Sequence, residues 1–275
     1  MLGGAVLFAV MATFVGLAHR QDPTLDTLVT SAVRSSVNLG LLVAIAGKQA
    51  PTLWGDGRRA LWVRGLFGGV ALMTYFASLQ HLSLGEAAFL NQTAAIWVVL
   101  AAPFVLGERP SPVGILAVLG SIVGIALLAH PRAGDTDTAG RIFGLVSGVT
   151  SAGAYLSIRK ASATNRPAVI VFYFTLVATV LSTGLAIANG VSLPRDPLTI
   201  AFLVASGAAA TFAQLLMTQA YRLGPTAAVA AAGACGPLLN VLGGWLVLGQ
   251  IPDDSAGLGM GILLVTSMVM PFYAR

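Results

Sequence analysis

Charged side chains are scarce in this sequence. They make up 9% of its 275 residues, against 56% hydrophobic residues, and the mean hydropathy is +0.85. A water-soluble domain needs far more polar surface than this. The composition therefore excludes an ordinary soluble enzyme or binding domain and predicts a membrane protein, with the lipid bilayer as its first partner.

Cysteine is almost absent too, since Cys235 is the single one. One cysteine excludes an intrachain disulfide and any metal site built on paired cysteines, and no cofactor or metal is predicted. The formal charge of +5 is compatible with a nucleic-acid partner, but the fifteen Lys and Arg residues are scattered in ones and twos between apolar runs. That distribution is typical of anchors facing anionic lipid, so no nucleic-acid partner is expected.

Membrane spans are predicted by apolar runs of about 20 residues, the length that crosses a bilayer as a helix. Ten such runs cover approximately 2–18, 28–47, 60–81, 84–106, 111–130, 140–161, 168–189, 197–221, 225–248 and 255–274. If the N-terminus is cytoplasmic, ten basic residues fall on the cytoplasmic side and five outside. This excess predicts a multi-pass protein of the inner (plasma) membrane with both termini in the cytoplasm.

One short unit occurs twice. Val98–Glu108 reads VVLAAPFVLGE, and Asn240–Gln250 reads NVLGGWLVLGQ, at an offset of 142 residues. Gly107 and Gly249 stand where a helix C-cap favours positive φ, and a proline-bearing link follows each. The duplication predicts a first repeat over 1–131, a linking loop over 132–139 and a second repeat over 140–275. Five spans per repeat is an odd number, so the repeats are inverted and a site is expected near the bilayer middle.

These features resemble the drug/metabolite transporter superfamily and, within it, the EamA-type branch. The resemblance covers nearly the whole chain and rests on SLGEAAFLNQTAAIWVVLAAPFVLGERPSPVGILAVLGSIVGIALL and its weaker echo GPTAAVAAAGACGPLLNVLGGWLVLGQIPDDSAGLGMGILLV. It implies an all-α membrane protein of ten transmembrane helices in a five-plus-five inverted repeat. It also implies a transporter and not an enzyme, with a small metabolite as substrate and export of amino acids, aromatic ones above all, as its activity.

Two prolines are expected to bend helices and serve gating. The family usually carries a proline part-way along helices four and nine. Pro237 fits the second position, whereas Ala95 occupies the aligned position in the first copy, so Pro103 is expected to supply that bend. A second departure is that LGE in the first copy has become LGQ in the second.

Polar and aromatic residues inside the spans outline the predicted substrate cavity. Polar side chains in a lipid span usually face inward, and central aromatic residues provide stacking surfaces for an organic substrate. The alternative for the polar residues is an interhelical hydrogen bond, and for the aromatic ones core packing or lipid exposure. The candidates are Tyr75, Asn91, Trp97, Tyr155, Gln214 and Asn240.

No Asp, Glu, Lys or Arg is predicted near the middle of a span, because Arg34 falls in the first turns of its helix and Glu86 at the start of another. A carrier of phosphate esters would need buried Arg or Lys. We therefore expect a neutral or zwitterionic substrate. His81 and Glu86 are the one candidate titrating pair, although an interfacial histidine and a helix N-terminal carboxylate are the favoured explanation of the two.

Small residues recur every four positions at Gly140, Gly144, Gly148 and Ala152, which allows close helix packing within one chain or in a homodimer. Monomer and homodimer both remain open. Two alternative functions remain to be compared with a carrier. A passive facilitator of the same fold differs from a carrier only in coupling. A membrane-embedded transferase would need clustered carboxylates, and the candidates Asp135 with Asp137 and Asp253 with Asp254 have no partner at catalytic spacing.

Overall fold

Helices account for the architecture of this protein in the computed structural model. The structure describes residues 1–79, 81–82, 84–108, 111–129, 138–233, 235–249, 258–259, 261–262 and 265. The helices are α1 Leu2–Gln21, α2 Thr27–Ala46, the 3₁₀ helix η1 Gly47–Trp54, α3 Arg59–Leu79, α4 Leu84–Gln92, α5 Ala94–Leu106, α6 Pro112–Ala129, α7 Thr138–Ala161, α8 Pro167–Ala188, α9 Pro197–Leu223, α10 Thr226–Gly233 and α11 Cys235–Leu248. Within these described residues there is no β-strand.

Local signals in the sequence set several helix ends. The Asp26 carboxylate accepts a hydrogen bond of 2.6 Å from the Leu28 backbone N–H at the start of α2, which is the usual role of an N-cap aspartate. At the other end of a helix, Gly107 adopts φ 70° after α5 and Gly249 adopts φ 68° after α11. Both predicted glycine C-caps are thus confirmed.

Six stretches of the described chain are long and apolar enough to cross a bilayer. They are Leu2–Gln21, Thr27–Trp54, Arg59–Ser78, Phe89–Leu106, Pro167–Ala188 and Pro197–Leu223, with shorter apolar helices at Val118–Leu127 and Leu238–Val247. The protein is therefore an all-α, multi-pass membrane protein. The tenth predicted span, 255–274, falls almost wholly outside the described residues.

The helix packing has the symmetry of two repeats. Helix α1 packs along α9, and α3 packs along α7. Helices α1 and α9 are the first and eighth spans, and their counterparts in the other repeat are the sixth and third spans, α7 and α3. The first pair is thus related to the second by exchange of the two repeats. Helix α2 packs on α8, its own counterpart. Since five crossings reverse the direction of the chain, the two-fold axis lies in the membrane plane, and the fold is the expected inverted repeat.

The small-residue face of α7 allows this helix to pack closely against α4. A Cβ atom added at Gly148 would lie 2.8 Å from the Leu90 carbonyl oxygen and against the Thr93 hydroxyl, and one at Gly144 would meet the Leu90 side chain. These contacts lie within one chain, so the structure realises the intrachain alternative for this face.

The fourth predicted span is interrupted at Thr93. Its backbone N–H donates to the Leu90 carbonyl oxygen at 3.2 Å, and its hydroxyl donates to the same oxygen at 2.6 Å. Both hydrogen bonds join residue i to residue i−3, as in a 3₁₀ turn, and not to residue i−4 as in an α-helix. They tighten the turn and separate α4 from α5. The interruption in this span therefore lies at Thr93, ten residues before Pro103, which is inside α5.

Candidate functional site

A cavity of about 290 Å³ lies between the two halves of the chain. Its walls come from α1 to α5 of the first half and α7 to α11 of the second. A cavity of this volume is at the lower end of the range found for small-molecule sites. The geometry therefore suits a small solute contacted by both repeats.

Five of the six residues predicted for the cavity border it together: Tyr75, Asn91, Tyr155, Gln214 and Asn240. For Asn91, both interpretations left open by the sequence apply at once. Its amide nitrogen donates to the Ser147 and Ser151 hydroxyls at 3.1 and 3.2 Å, which ties α4 to α7. Asn240, in contrast, is exposed and contributes to the rim of the cavity.

The assignment of Trp97 to the cavity is wrong. Its side chain is 40% exposed and does not belong to the cavity wall. Its neighbours Ala94 and Val98 form the face of α5 that packs on Ala152 and Ala230. Because adjacent helix positions point about 100° apart, Trp97 is turned away from that contact and toward the surrounding lipid.

Arg64 reverses the expectation of an uncharged chamber. It is the sixth residue of α3, yet its side chain is only 2% exposed and it borders the cavity. One terminal nitrogen donates to the Gln214 side-chain oxygen at 3.2 Å, and the guanidinium carbon lies 4.3 Å from the centre of the Phe174 ring. Its Nε atom is buried without a hydrogen-bond partner.

A second arginine, Arg34 on α2, borders the same cavity. It is the eighth residue of α2, about 10 Å along the axis from the first residue of that helix. Long side chains at this depth often extend back to the membrane interface. Arg34 instead donates to the Met11 sulfur at 3.2 Å and turns inward. The expectation of an uncharged cavity is therefore wrong at both arginines.

Tyr221 is a cavity residue that the sequence interpretation missed. It is 1% exposed and stacks on Tyr155 with ring centres 5.1 Å apart and planes inclined by 16°. Tyr221 lies at the predicted end of a span, where tyrosine usually marks the interface. Only its packing against a second helix shows that it faces inward.

Directly beyond Tyr221, an ion pair joins four helix ends. Arg159 Nε lies 2.8 Å from a Glu108 carboxylate oxygen, and Arg159 also donates to the carbonyl oxygen of Arg222 at 2.7 Å and of Tyr221 at 3.4 Å. The second Glu108 oxygen accepts from the Thr226 N–H at 3.0 Å. We call Glu108, Arg159 and Thr226 the latch.

Within the latch, Glu108 is ionised at neutral pH and forms an ion pair with Arg159. Partial burial alone would raise the pKa of Glu108, but the hydrogen bond from Thr226 and the positive charge of Arg159 together lower that pKa below its ordinary value of 4.5. Glu108 comes from the LGE motif, so this motif supplies a tertiary contact as well as a helix end.

Among the other predicted residues that the structure describes, His81 does not border the cavity. His81 lies between α3 and α4, is exposed, and stacks on Phe143 with ring centres 6.2 Å apart. The side chains of Glu86 and Pro237 lie outside the described part, although Pro237 falls in the first turn of α11. Among the described residues, no three His, Cys, Asp or Glu side chains cluster as metal ligands would.

The EamA-like transporter family matches residues 1–129 and 138–271 of the chain. The chain belongs to the EamA-like transporter family. It is therefore a membrane transporter, and the family and its relatives are named as transporters and not as enzymes.

Two relatives of this EamA-like transporter carry substrate names. It is 28% identical over 274 residues to the pseudopaline exporter CntI of Pseudomonas aeruginosa, covering 98% of this chain and 96% of that protein. It is 25% identical over 205 residues to a riboflavin transporter of Rhizobium johnstonii, covering 74% and 67%. A solved crystal structure with 19% identity superimposes with a TM-score of 0.83, covering 100% of this chain and 96% of the other, which shows the shared fold.

Proposed function

We propose that this EamA-like transporter exports small zwitterionic metabolites that carry a carboxylate, amino acids foremost, by alternating access in the inner membrane. The observation that carries the proposal is Arg64, a buried cation in the cavity wall whose Nε has no partner. Charged residues within a membrane protein are costly and usually mark a substrate or ion path. A substrate carboxylate would supply the missing acceptor.

Arg64 is held in position for this task by uncharged neighbours. The Gln214 side-chain oxygen accepts one guanidinium N–H, and the Phe174 ring covers one face of the guanidinium group. Neither partner neutralises the charge, so the planar group remains available for a paired hydrogen bond to a carboxylate. The names of the two relatives, a pseudopaline exporter and a riboflavin transporter, are in keeping with an organic metabolite as cargo.

The aromatic residues favour an apolar or aromatic substrate side chain. Tyr155 and Tyr221 stack on each other beside the cavity, and Phe174 adds a third ring. Stacking on such a ring contributes about 0.5–1.5 kcal/mol beyond the area buried. We therefore propose aromatic amino acids among the preferred zwitterions.

The latch supports a conformational assignment. The fourth span ends on the same membrane face as the N-terminus, because the chain crosses once per span. With both termini in the cytoplasm, the latch joins the helix ends on the cytoplasmic side. Since Tyr221 borders the cavity and its carbonyl accepts from Arg159, we assign this conformation as closed to the cytoplasm, and breaking the latch as the step that opens it.

Counterflow in proteoliposomes tests the proposal. Vesicles preloaded with one amino acid are expected to accumulate the same labelled amino acid. Tyr155→Leu is expected to weaken its apparent affinity by about 2- to 10-fold, from the stacking energy above. Trp97→Leu, the matched control outside the cavity, should match the wild type.

Repeating the counterflow with and without a pH gradient separates a proton-coupled carrier from a facilitator. Saturable uptake without counterflow would instead indicate a channel. The proposal is wrong if no amino acid exchanges, and the cavity assignment is wrong if both substitutions have the same effect.

A further inference from the structure

We propose that Arg34 forms a second anion subsite, so that among zwitterions of similar size those with a second, separated anionic group bind more tightly. This inference rests on the proposed function and narrows its substrate class. It adds to the carboxylate contact at Arg64 a second contact on a different helix, toward the opposite membrane face.

The partners of Arg34 do not satisfy a guanidinium group. Its one recorded hydrogen bond goes to the Met11 sulfur at 3.2 Å, and a thioether is a weak acceptor. The Phe76 ring centre lies 5.8 Å from its guanidinium carbon, near the outer limit for a cation–π contact. Tyr75 is a further polar neighbour of Arg34, and among the described residues no carboxylate pairs with this guanidinium group.

The charges around the cavity are unbalanced. Arg34 and Arg64 both border it, and among the residues that form its described wall there is no Asp or Glu. The ion pairs between described residues lie elsewhere, at Arg58 with Asp56 and at Arg159 with Glu108. The neutral oxygens of Asn91 and Gln214 are suited to a substrate ammonium group. A substrate with one ammonium and two carboxylates would therefore balance the cavity better than one with a single carboxylate.

Arg64 belongs to the second turn of α3, whereas Arg34 of α2 lies beside the last turns of α3. Arg34 approaches Phe76, which is twelve residues after Arg64 on α3, about 18 Å along the helix axis. Both arginines border the same cavity, so one bound molecule can contact both of them from different depths. A molecule with anionic groups at its two ends fits this arrangement, whereas two carboxylates on one carbon do not.

The test is competition in the counterflow assay with amino acids of graded length. L-aspartate, L-glutamate, L-2-aminoadipate and L-2-aminopimelate place a second carboxylate progressively farther from the first. L-norleucine is a monocarboxylic control of similar length. In the wild type we expect the longer dicarboxylic amino acids to compete at least about 10-fold better than L-norleucine, the value of one charge-assisted hydrogen bond.

Arg34→Gln is expected to reduce that preference by about 10- to 100-fold, and Arg34→Lys to restore part of it. Arg195→Gln, which removes one positive charge from the exposed link before α9, should leave the preference unchanged. If Arg34→Gln does not fold, the length series in the wild type remains decisive on its own.

The outcomes separate the two proposals. If no amino acid competes or exchanges, the proposed function is wrong. If L-norleucine competes as well as every dicarboxylic amino acid, or if Arg34→Gln weakens both classes equally, the second subsite is wrong while the proposed function stands. A preference that does not depend on the distance between carboxylates would likewise overturn the two-ended arrangement.

Discussion

Replacing Arg64 by methionine separates a binding role from a structural one. Methionine keeps an unbranched side chain of similar reach but removes the charge and every N–H donor. If the guanidinium holds a substrate carboxylate, the variant loses at least one charge-assisted hydrogen bond, about 1.5–3 kcal/mol. The apparent affinity for the transported amino acid should then fall by about 10- to 150-fold.

The stability of the variant should change far less. It loses the hydrogen bond to Gln214 and the cation–π contact with Phe174, worth about 1–2 kcal/mol each. It also removes a buried charge whose Nε has no partner, which costs about 1–3 kcal/mol or more in the wild type. Because the lost contacts and the relieved burial cost oppose each other and their ranges overlap, the net change in stability is expected to be smaller than either contribution.

Counterflow affinity and thermal unfolding in detergent, measured on the same purified variant, test this reasoning. We expect a large loss of affinity with a small shift of the unfolding midpoint. Arg64→Lys, which keeps the charge without the planar fork, should recover part of the affinity. A variant that unfolds far more easily but binds normally would refute the reasoning and assign Arg64 to the helix packing.

Two further predictions concern the latch and the α4–α7 contact. Because the pKa of Glu108 is lowered in the folded protein, its contribution to stability is present above the ordinary value of 4.5 and is lost as pH falls through the lower folded value. Glu108→Gln should therefore flatten the dependence of the unfolding midpoint on pH below 4.5, and an unchanged profile would contradict the latch. Gly148→Ala should destabilise by about 1–3 kcal/mol, because its Cβ meets the Leu90 carbonyl oxygen, whereas Gly184→Ala, with open space around it, should be neutral or stabilising; equal unfolding midpoints would contradict this packing.

The sequence predicted the fold well because its signals are local or repeated. Helix lengths follow from apolar runs, and the C-caps at Gly107 and Gly249 follow from glycine before a proline-bearing link. The inverted repeat follows from a duplicated unit and an odd number of spans. The interruption at Thr93 was missed because a threonine hydroxyl that bonds a backbone carbonyl leaves no distinct pattern in the sequence.

The cavity was predicted only in part, because side-chain direction depends on tertiary packing. Tyr155 and Gln214 were found, since polar and aromatic residues inside a span tend to face inward. Trp97 satisfies the same rule, yet it faces lipid because its neighbours on α5 pack on α7 and α10. Arg64 was not predicted as a cavity residue because it lies near a helix start, although its side chain is long enough to reach the cavity from there. A count of helix rise from each end would have marked Arg34 as a deep cation.

The central claim is a water-accessible, positively charged cavity between the two inverted halves, and thiol labelling tests it most directly. In a Cys235→Ala background, Ala71→Cys places one thiol in the cavity wall. Its labelling rates with an anionic and a cationic methanethiosulfonate are each divided by the rate for a free thiol. We expect the anionic reagent to react several-fold faster, because of the field of two guanidinium groups without an ion-pair partner, and a transported amino acid to slow this reaction. Equal relative rates, or faster labelling by the cationic reagent, would contradict a positively charged cavity.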